Sequence, residues 1–157
     1  MQVAAGALFR ELGMHRVADG PPPSADGFRQ ARAHGDLLVA ADDRKIVGFV
    51  RTKVLDGSLH VEQVTVAPGW QGRGIGRALM LAAEQAAAGR GFTRMTLTTF
   101  RDVPFNGPFY ERLGWTRLDA DSLTPGLAPN VRKRCGPDST CGHGPRWLKR
   151  SADLNHA

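Results

Sequence analysis

The stretch VAPGWQGRGIGR, residues 66–77, places four glycines and two arginines between an alternating apolar run and an alanine-rich segment. Residues 59–66 alternate as a β-strand does, and residues 78–88 are strong helix formers followed by Gly89. Because N–H groups at a helix N-terminus lack partners and carry the positive end of the helix dipole, a phosphate can bind there when no side chain blocks it. We therefore predict a pyrophosphate cradle, with a plain glycine turn that uses positive φ as the alternative.

Two common phosphate-binding motifs do not fit this turn. The nucleotide-triphosphate P-loop ends in Gly-Lys followed by Ser or Thr, whereas Gly74 is followed by Ile75 and Gly76. The dinucleotide fingerprint G-x-G-x-x-G would require a third glycine at Arg77 or Leu79. The turn therefore predicts neither a magnesium–nucleotide site nor a dinucleotide site.

Two segments of the chain resemble motifs of the GNAT superfamily of N-acetyltransferases. Residues 71–76, QGRGIG, resemble its Q/R-x-x-G-x-G/A signature, and residues 64–68, VTVAP, resemble the strand that precedes it. Residues 106–115, NGPFYERLGW, resemble a later segment of that superfamily, and the two motifs have the expected order and spacing. The resemblance covers residues 37–118. It implies an α/β (α+β) fold with a mixed, mostly antiparallel central sheet flanked by helices, and acetyl transfer from acetyl-CoA to a primary amine.

The same resemblance implies where acetyl-CoA binds. Its pyrophosphate would lie on the backbone amides of residues 72–77, and its pantetheine arm would lie along residues 64–66 like an added strand. Asn106 would hydrogen-bond the arm, and Tyr110 lies four residues later on the same helical face. The residues assigned to the cofactor are Val64, Thr65, Val66, Gln71, Gly72, Arg73, Gly74, Ile75, Gly76, Arg77, Asn106 and Tyr110.

Direct attack by an amine requires a base, because an alkylammonium has a pKa of about 10.4 and is protonated at neutral pH. Glu62 is the leading candidate, since it shares a strand face with the predicted pantetheine residues. His60, Asp102 or a water chain could serve instead, and a salt-bridged surface glutamate is the alternative. Tyr110 matches the superfamily's general acid and is the only tyrosine, although a packing role is its alternative. A backbone N–H near Val66 would stabilise the developing oxyanion if that strand splays from its neighbour.

The rest of the chain supplies further elements by its patterning. Ser24 predicts the N-cap of a helix that reaches Ala33, and two β-rich runs joined by an acidic turn predict a hairpin. The superfamily opens with a strand, but this sequence begins almost inside its first helix. The remaining predictions are helices at residues 4–12 and 105–113, the latter ended by Gly114, and strands at residues 92–100, 115–118 and 146–150.

Composition limits the other possibilities. With 157 residues, 41% hydrophobic residues and 23% charged residues, the chain fits one domain over residues 1–157, of which residues 119–157 form an irregular tail. No apolar run approaches the roughly 18 residues of a membrane span, so we expect no membrane association and a cytoplasmic location. Cys135, Cys141 and His143 are too few for a typical zinc site, and no metal is expected.

The net charge of +6 favours anionic partners, but the arginines are scattered and nucleic acid is an unlikely one. Three functions follow in order of preference. The first is an N-acetyltransferase for a small-molecule or protein amine, the second is a catalytically weak acyl-CoA sensor or interaction module, and the third is a nucleic-acid-binding domain. The identity of the amine and the formation of a homodimer stay open.

Overall fold

The computed structural model describes residues 10–11, 15, 19, 24–100, 103, 106–118, 124–127 and 145–151. The predicted first helix lies largely outside these residues, although Arg10 and Glu11 are helical. The predicted lack of an opening strand concerns residues that are also outside the described part of the chain. The helices are α1 (Ala25–Ala33), α2 (Ile75–Gly89) and α3 (Gly107–Arg112). The strands are β1 (Leu37–Asp42), β2 (Lys45–Leu55), β3 (Ser58–Val66), β4 (Arg94–Phe100), β5 (Thr116–Arg117) and β6 (Pro145–Ser151).

Over the described residues, the strands form one sheet in the order β1-β2-β3-β4-β6-β5. The pairs β1–β2, β4–β6 and β5–β6 are antiparallel, and β3–β4 is parallel. The predicted mixed, mostly antiparallel sheet with helices is confirmed. The chain divides into two compact units, Met1–Lys53 with Gln63–Ala83 and Val54–Glu62 with Glu84–Ala157, and β2, β3 and α2 each run through both. The single-domain assignment stays a prediction.

The first unit contains α1 packed against the β1–β2 hairpin. The Ser24 side chain accepts a hydrogen bond from the Gly27 N–H at 3.1 Å, which confirms the predicted N-cap. Phe28 of α1 then meets Phe49 of β2 edge to face, with ring centroids 5.3 Å apart. The hairpin pairs run from Leu37↔Arg51 to Asp42↔Lys45, so the predicted acidic turn joins the two strands.

The second unit is built around β4. Its parallel ladder with β3 runs from Leu59↔Met95 to Val61↔Leu97, and β6 pairs with β4 on its other side from Arg94↔Ser151 to Phe100↔Pro145. The predicted last strand therefore lies inside the sheet rather than at its edge, because β5 pairs with the far side of β6. The side chains that form the core of this unit are almost fully buried: Leu59, Met95, Leu97, Phe100, Val103 and Trp115.

The ends of α2 differ from the prediction. The helix begins at Ile75, three residues before the predicted start, because the Gly74 carbonyl already accepts the Ala78 N–H at 3.0 Å. Gly89 is its last residue, one past the predicted end at Ala88, and Gly91 has the left-handed conformation, with a φ of 78°. The Phe92 N–H bonds the Ala87 carbonyl in the pattern of a Schellman cap. The assignment of the capping glycine to Gly89 was therefore wrong by two residues.

Candidate active site

The turn between β3 and α2 is shaped by glycine. Gly72 and Gly74 have φ values of 74° and 79°, in the left-handed region where a side chain is strained. A Cβ added at either position would meet nothing within 4 Å, so the space beside the turn is open. The positive φ values of Gly72 and Gly74 fit a plain glycine turn. The open space beside these two residues also leaves room for the predicted pyrophosphate cradle.

The α2 N-terminus presents N–H groups toward this turn. The first helical bond runs from Ala78 to Gly74, so the N–H groups of Ile75, Gly76 and Arg77 have no partner within the helix. The first turn contains no acidic residue that would compete for them. The residues predicted to bind pyrophosphate therefore form a helix start that is suited to an anion.

Two arginines add positive charge at this turn. Arg73 and Arg77 are both exposed, and the Arg73 guanidinium carbon lies 4.8 Å from the centre of the half-buried Trp70 ring. That distance is typical of a cation–π contact. Gln71, the first residue of the motif, donates a long 3.5 Å bond from its Nε2 to the Val66 carbonyl and so ties the turn back to β3.

The predicted pantetheine residues form the end of β3. Val64 and Val66 are half-buried, whereas Thr65 is buried and its hydroxyl accepts a 3.0 Å bond from Gln63 Nε2. The Ala67 N–H donates to the Val47 carbonyl at 2.8 Å and holds the strand end against β2. The end of β3 is therefore paired with β2 on one side.

The second motif forms α3 in the other unit. Asn106 is the N-cap residue of α3, but its side chain makes no capping bond, and its buried Nδ2 has no acceptor among the described residues. A buried donor without an acceptor costs about 1–3 kcal/mol unless a ligand or water satisfies it. Tyr110 lies one helical turn later, is 9% exposed and donates its N–H to the Asn106 carbonyl at 3.1 Å. These observations fit a ligand acceptor at Asn106.

The two main candidates for the base have different environments. His60 is 3% exposed, and its Nδ1 lies 2.9 Å from the Thr96 hydroxyl on β4, so one ring nitrogen is already engaged. Glu62 is half-buried, and the β3–β4 ladder ends one residue before it, at Val61↔Leu97. Asp102, the third candidate, lies outside the described residues.

The predicted site residues divide between the two units. Residues 64–66 and 71–77 belong to the first unit, and Glu62, Asn106 and Tyr110 belong to the second. Sequence reasoning gave no role to Thr96, which bonds His60, or to Trp115, which packs against Tyr110. The alternating threonines at 96 and 98 were the sequence pattern that could have indicated a polar partner on β4. Trp115 is the last residue of the second motif, residues 106–115.

Within the described part of the chain, no three His, Cys, Asp or Glu side chains are grouped so that they could hold a metal ion. Cys135, Cys141 and His143 lie outside that part. A search of the same residues found no helix long and apolar enough to cross a membrane.

Comparison with known sequences gives a consistent set of relatives. The profile of the acetyltransferase (GNAT) family matches residues 7–115. Mycothiol acetyltransferase of Geodermatophilus obscurus is 30% identical over 139 residues, which are 82% of this chain and 44% of that protein. N-alpha-acetyltransferase 80 of Mus musculus is 45% identical over 73 residues, which are 45% of this chain and 22% of that protein. The chain spans less than half the length of these curated relatives.

Solved structures agree at the level of the fold. N-acetylglutamate synthase of Neisseria gonorrhoeae, complexed with coenzyme A and N-acetyl-glutamate, matches with a TM-score of 0.69 and 16% identity over 96% of this chain and 32% of that one. The PaiA N-acetyltransferase of Thermoplasma acidophilum, in complex with coenzyme A, matches with a TM-score of 0.66 and 16% identity. The match covers 96% of this chain and 87% of that one. At such identities the similarity concerns the fold.

Proposed function

Because the chain belongs to the acetyltransferase (GNAT) family, we propose that it transfers the acetyl group of acetyl-CoA to the nitrogen of a primary amine. The observation that carries the proposal is the start of α2, where two left-handed glycines lead into N–H groups that no acidic residue of the first turn competes for. Such a start binds the phosphate groups of a nucleotide ligand. In the second unit, the buried Nδ2 of Asn106 has no acceptor among the described residues and is available to donate to a ligand carbonyl.

In this proposal Glu62 accepts a proton from the substrate ammonium, directly or through water, so that the neutral amine can attack the thioester carbon. A C–N bond forms and the C–S bond breaks, which leaves an amide and a thiolate. Tyr110 donates its phenolic proton to the thiolate. The attacking nitrogen loses its second proton as the tetrahedral intermediate collapses, and this proton restores the Tyr110 phenol, while Glu62 passes the first proton to solvent. The ammonium thus loses two protons overall, which balance one proton on the thiol and one in solvent.

The proposed acceptor is a primary amine on a small molecule or a protein, and the choice between them stays open. The relatives named above include enzymes of both kinds by their names, but each covers this chain only in part or at low identity. A cytoplasmic location, a homodimer and the unlikelihood of a nucleic-acid partner also stay predictions from sequence.

Calorimetric titration with acetyl-CoA tests the binding step. We expect a Kd in the range of about 1–100 μM, as for typical enzyme substrates. Asn106→Ala should weaken binding by roughly fivefold, the loss of about one hydrogen bond. Lys45→Ala, at the exposed hairpin turn, is the control that should bind as the unaltered chain does. A folded chain that does not bind acetyl-CoA would overturn the proposal.

Thiol release in the presence of a panel of primary amines tests the transfer step. We expect release to require an amine, and Tyr110→Phe to lower kcat by roughly a hundredfold, which is within the range for a lost general acid. Binding without amine-dependent release would instead support an acyl-CoA-binding module. Full turnover by Tyr110→Phe would refute the assignment of the acid.

A further inference from the structure

Trp115 is a side chain from outside α3 that packs on the proposed acid. The Tyr110 and Trp115 rings meet edge to face, with centroids 6.2 Å apart and planes inclined by 61°. Tyr110 also contacts the ring of Phe109, with centroids 5.0 Å apart, and this neighbour in sequence moves with the same helix. Of these two contacts, that with Trp115 therefore fixes the tyrosine ring relative to a separate part of the unit.

The backbone brings these two residues together. The Trp115 N–H donates to the Tyr110 carbonyl at 3.1 Å, and Gly114, with a φ of 84°, reverses the chain between α3 and β5. Trp115 is 2% exposed, so its ring is held on all sides. A ring in such a close-packed place has one orientation, and the tyrosine that packs on it is held as well.

The indole N–H of Trp115 is buried without an acceptor among the described residues. An unsatisfied buried donor costs about 1–3 kcal/mol, which offsets part of the stability that burial of the large indole contributes. The aromatic surface of this side chain is the part that reaches Tyr110.

We propose that Trp115 is a positioning residue that orients the Tyr110 phenol for proton donation. The proposal rests on the proposed function, because it takes Tyr110 as the acid. A phenol that is displaced or free to turn donates its proton less often in the productive geometry, and a misplacement of about 1 Å can cost roughly a hundredfold in rate. Trp115 thus acts on catalysis through Tyr110 alone.

Tyr110 is the only tyrosine of the chain, so its ring can be observed singly. We would label the full chain with 3-fluorotyrosine and record its fluorine spectrum. The unaltered chain should give one narrow resonance, Trp115→Met should shift and broaden it, and Trp115→Phe should restore a narrow line because an aromatic ring returns. An unchanged resonance in Trp115→Met would overturn the proposal.

Kinetics then link this orientation to the acid. Trp115→Met should lower kcat at least tenfold, with a smaller change in the KM for acetyl-CoA, and Trp115→Phe should recover most of that loss. In a Tyr110→Phe background the same Trp115→Met change should cost less than about twofold, because the group that it positions is gone. Equal losses in both backgrounds would show a purely structural role and would overturn the proposal.

Two further measurements separate the possible failures. If Trp115→Met does not fold, nuclear Overhauser contacts between the Tyr110 and Trp115 rings are measured in the unaltered chain. Their presence would support the ring packing on which the proposal rests, and their absence would overturn the proposal. If the unaltered chain lacks amine-dependent turnover, the proposed function fails and the inference falls with it, whatever the fluorine spectrum shows about the packing of the rings.

Discussion

At the scale of single residues, the two candidate bases in the second unit, His60 and Glu62, have different surroundings. The Nδ1 of the buried His60 is engaged with Thr96, whereas Glu62 is half-buried and lies just beyond the end of the β3–β4 ladder. A base must exchange protons with substrate or water in every cycle, which favours the side chain with access to solvent. Glu62 therefore remains the leading proposal for the base.

We predict that Glu62→Gln lowers kcat/KM by roughly a hundredfold at neutral pH, a typical contribution of a general base. Initial rates at limiting amine concentration and neutral pH measure this loss.

Glu111→Gln is the matched control, because Glu111 is exposed on α3 and has no assigned role in the reaction. It should keep the kcat/KM of the unaltered chain. If Glu62→Gln behaved like this control, a water chain or His60 would have to supply the base.

At the scale of elements, the two ends of α2 illustrate different uses of glycine. Gly72 and Gly74 shape the entry, and Gly91 lets the chain leave through a Schellman cap. Gly89, the last helical residue, does not have a positive φ. The sequence places two glycines near this end, and only the backbone conformation distinguishes them.

The pair Gly91→Ala and Gly89→Ala tests this difference. A Cβ at either position meets nothing within 4 Å, so only conformation matters. Gly91→Ala should lower the free energy of unfolding by about 1–2 kcal/mol, the cost of an L-residue in the left-handed region. Gly89→Ala should be neutral or stabilise by up to about 1 kcal/mol. Urea unfolding of both variants measures the difference, and equal values would contradict the assignment of the cap.

At the scale of the whole molecule, the cradle depends on how closely α2 approaches the sheet. Gly48 on β2 allows this approach, because a Cβ there would lie 3.0 Å from the Thr65 carbonyl oxygen and 3.1 Å from the Leu79 side chain. The first of these neighbours is backbone and cannot turn aside. The position of the proposed phosphate-binding helix is therefore set in part by a residue far from the motif in sequence.

We predict that Gly48→Ala lowers the free energy of unfolding by about 1–3 kcal/mol, as overpacking does in well-packed cores. Because α2 must shift to make room, affinity for acetyl-CoA should fall as well. Gly89→Ala serves as the matched control for both measurements. Unfolding curves, and calorimetric titration at a temperature where both variants are folded, check the result. Unchanged affinity for acetyl-CoA in Gly48→Ala would show that the cradle does not depend on the close approach of α2 to Gly48.

The features that arise from local interactions could be predicted from the amino-acid sequence. The Ser24 cap, the hairpin, and the strand, glycine turn and helix order all depend on residues a few positions apart, and so does the motif that identifies the family. Each of these was predicted from pattern, because backbone preference and hydrogen bonding to near neighbours do not require the rest of the fold.

The features that depend on distant segments became known from the fold and could not be predicted from local pattern. These include the place of β6 between β4 and β5, the bond between His60 and Thr96, and the approach of α2 to Gly48. Tyr110 and Trp115 are close in sequence, yet the contact of their rings also follows from burial in the core. The sequence pattern indicates on which face of a helix or strand a residue lies. The residue that it contacts on that face depends on which segments the hydrophobic core brings together.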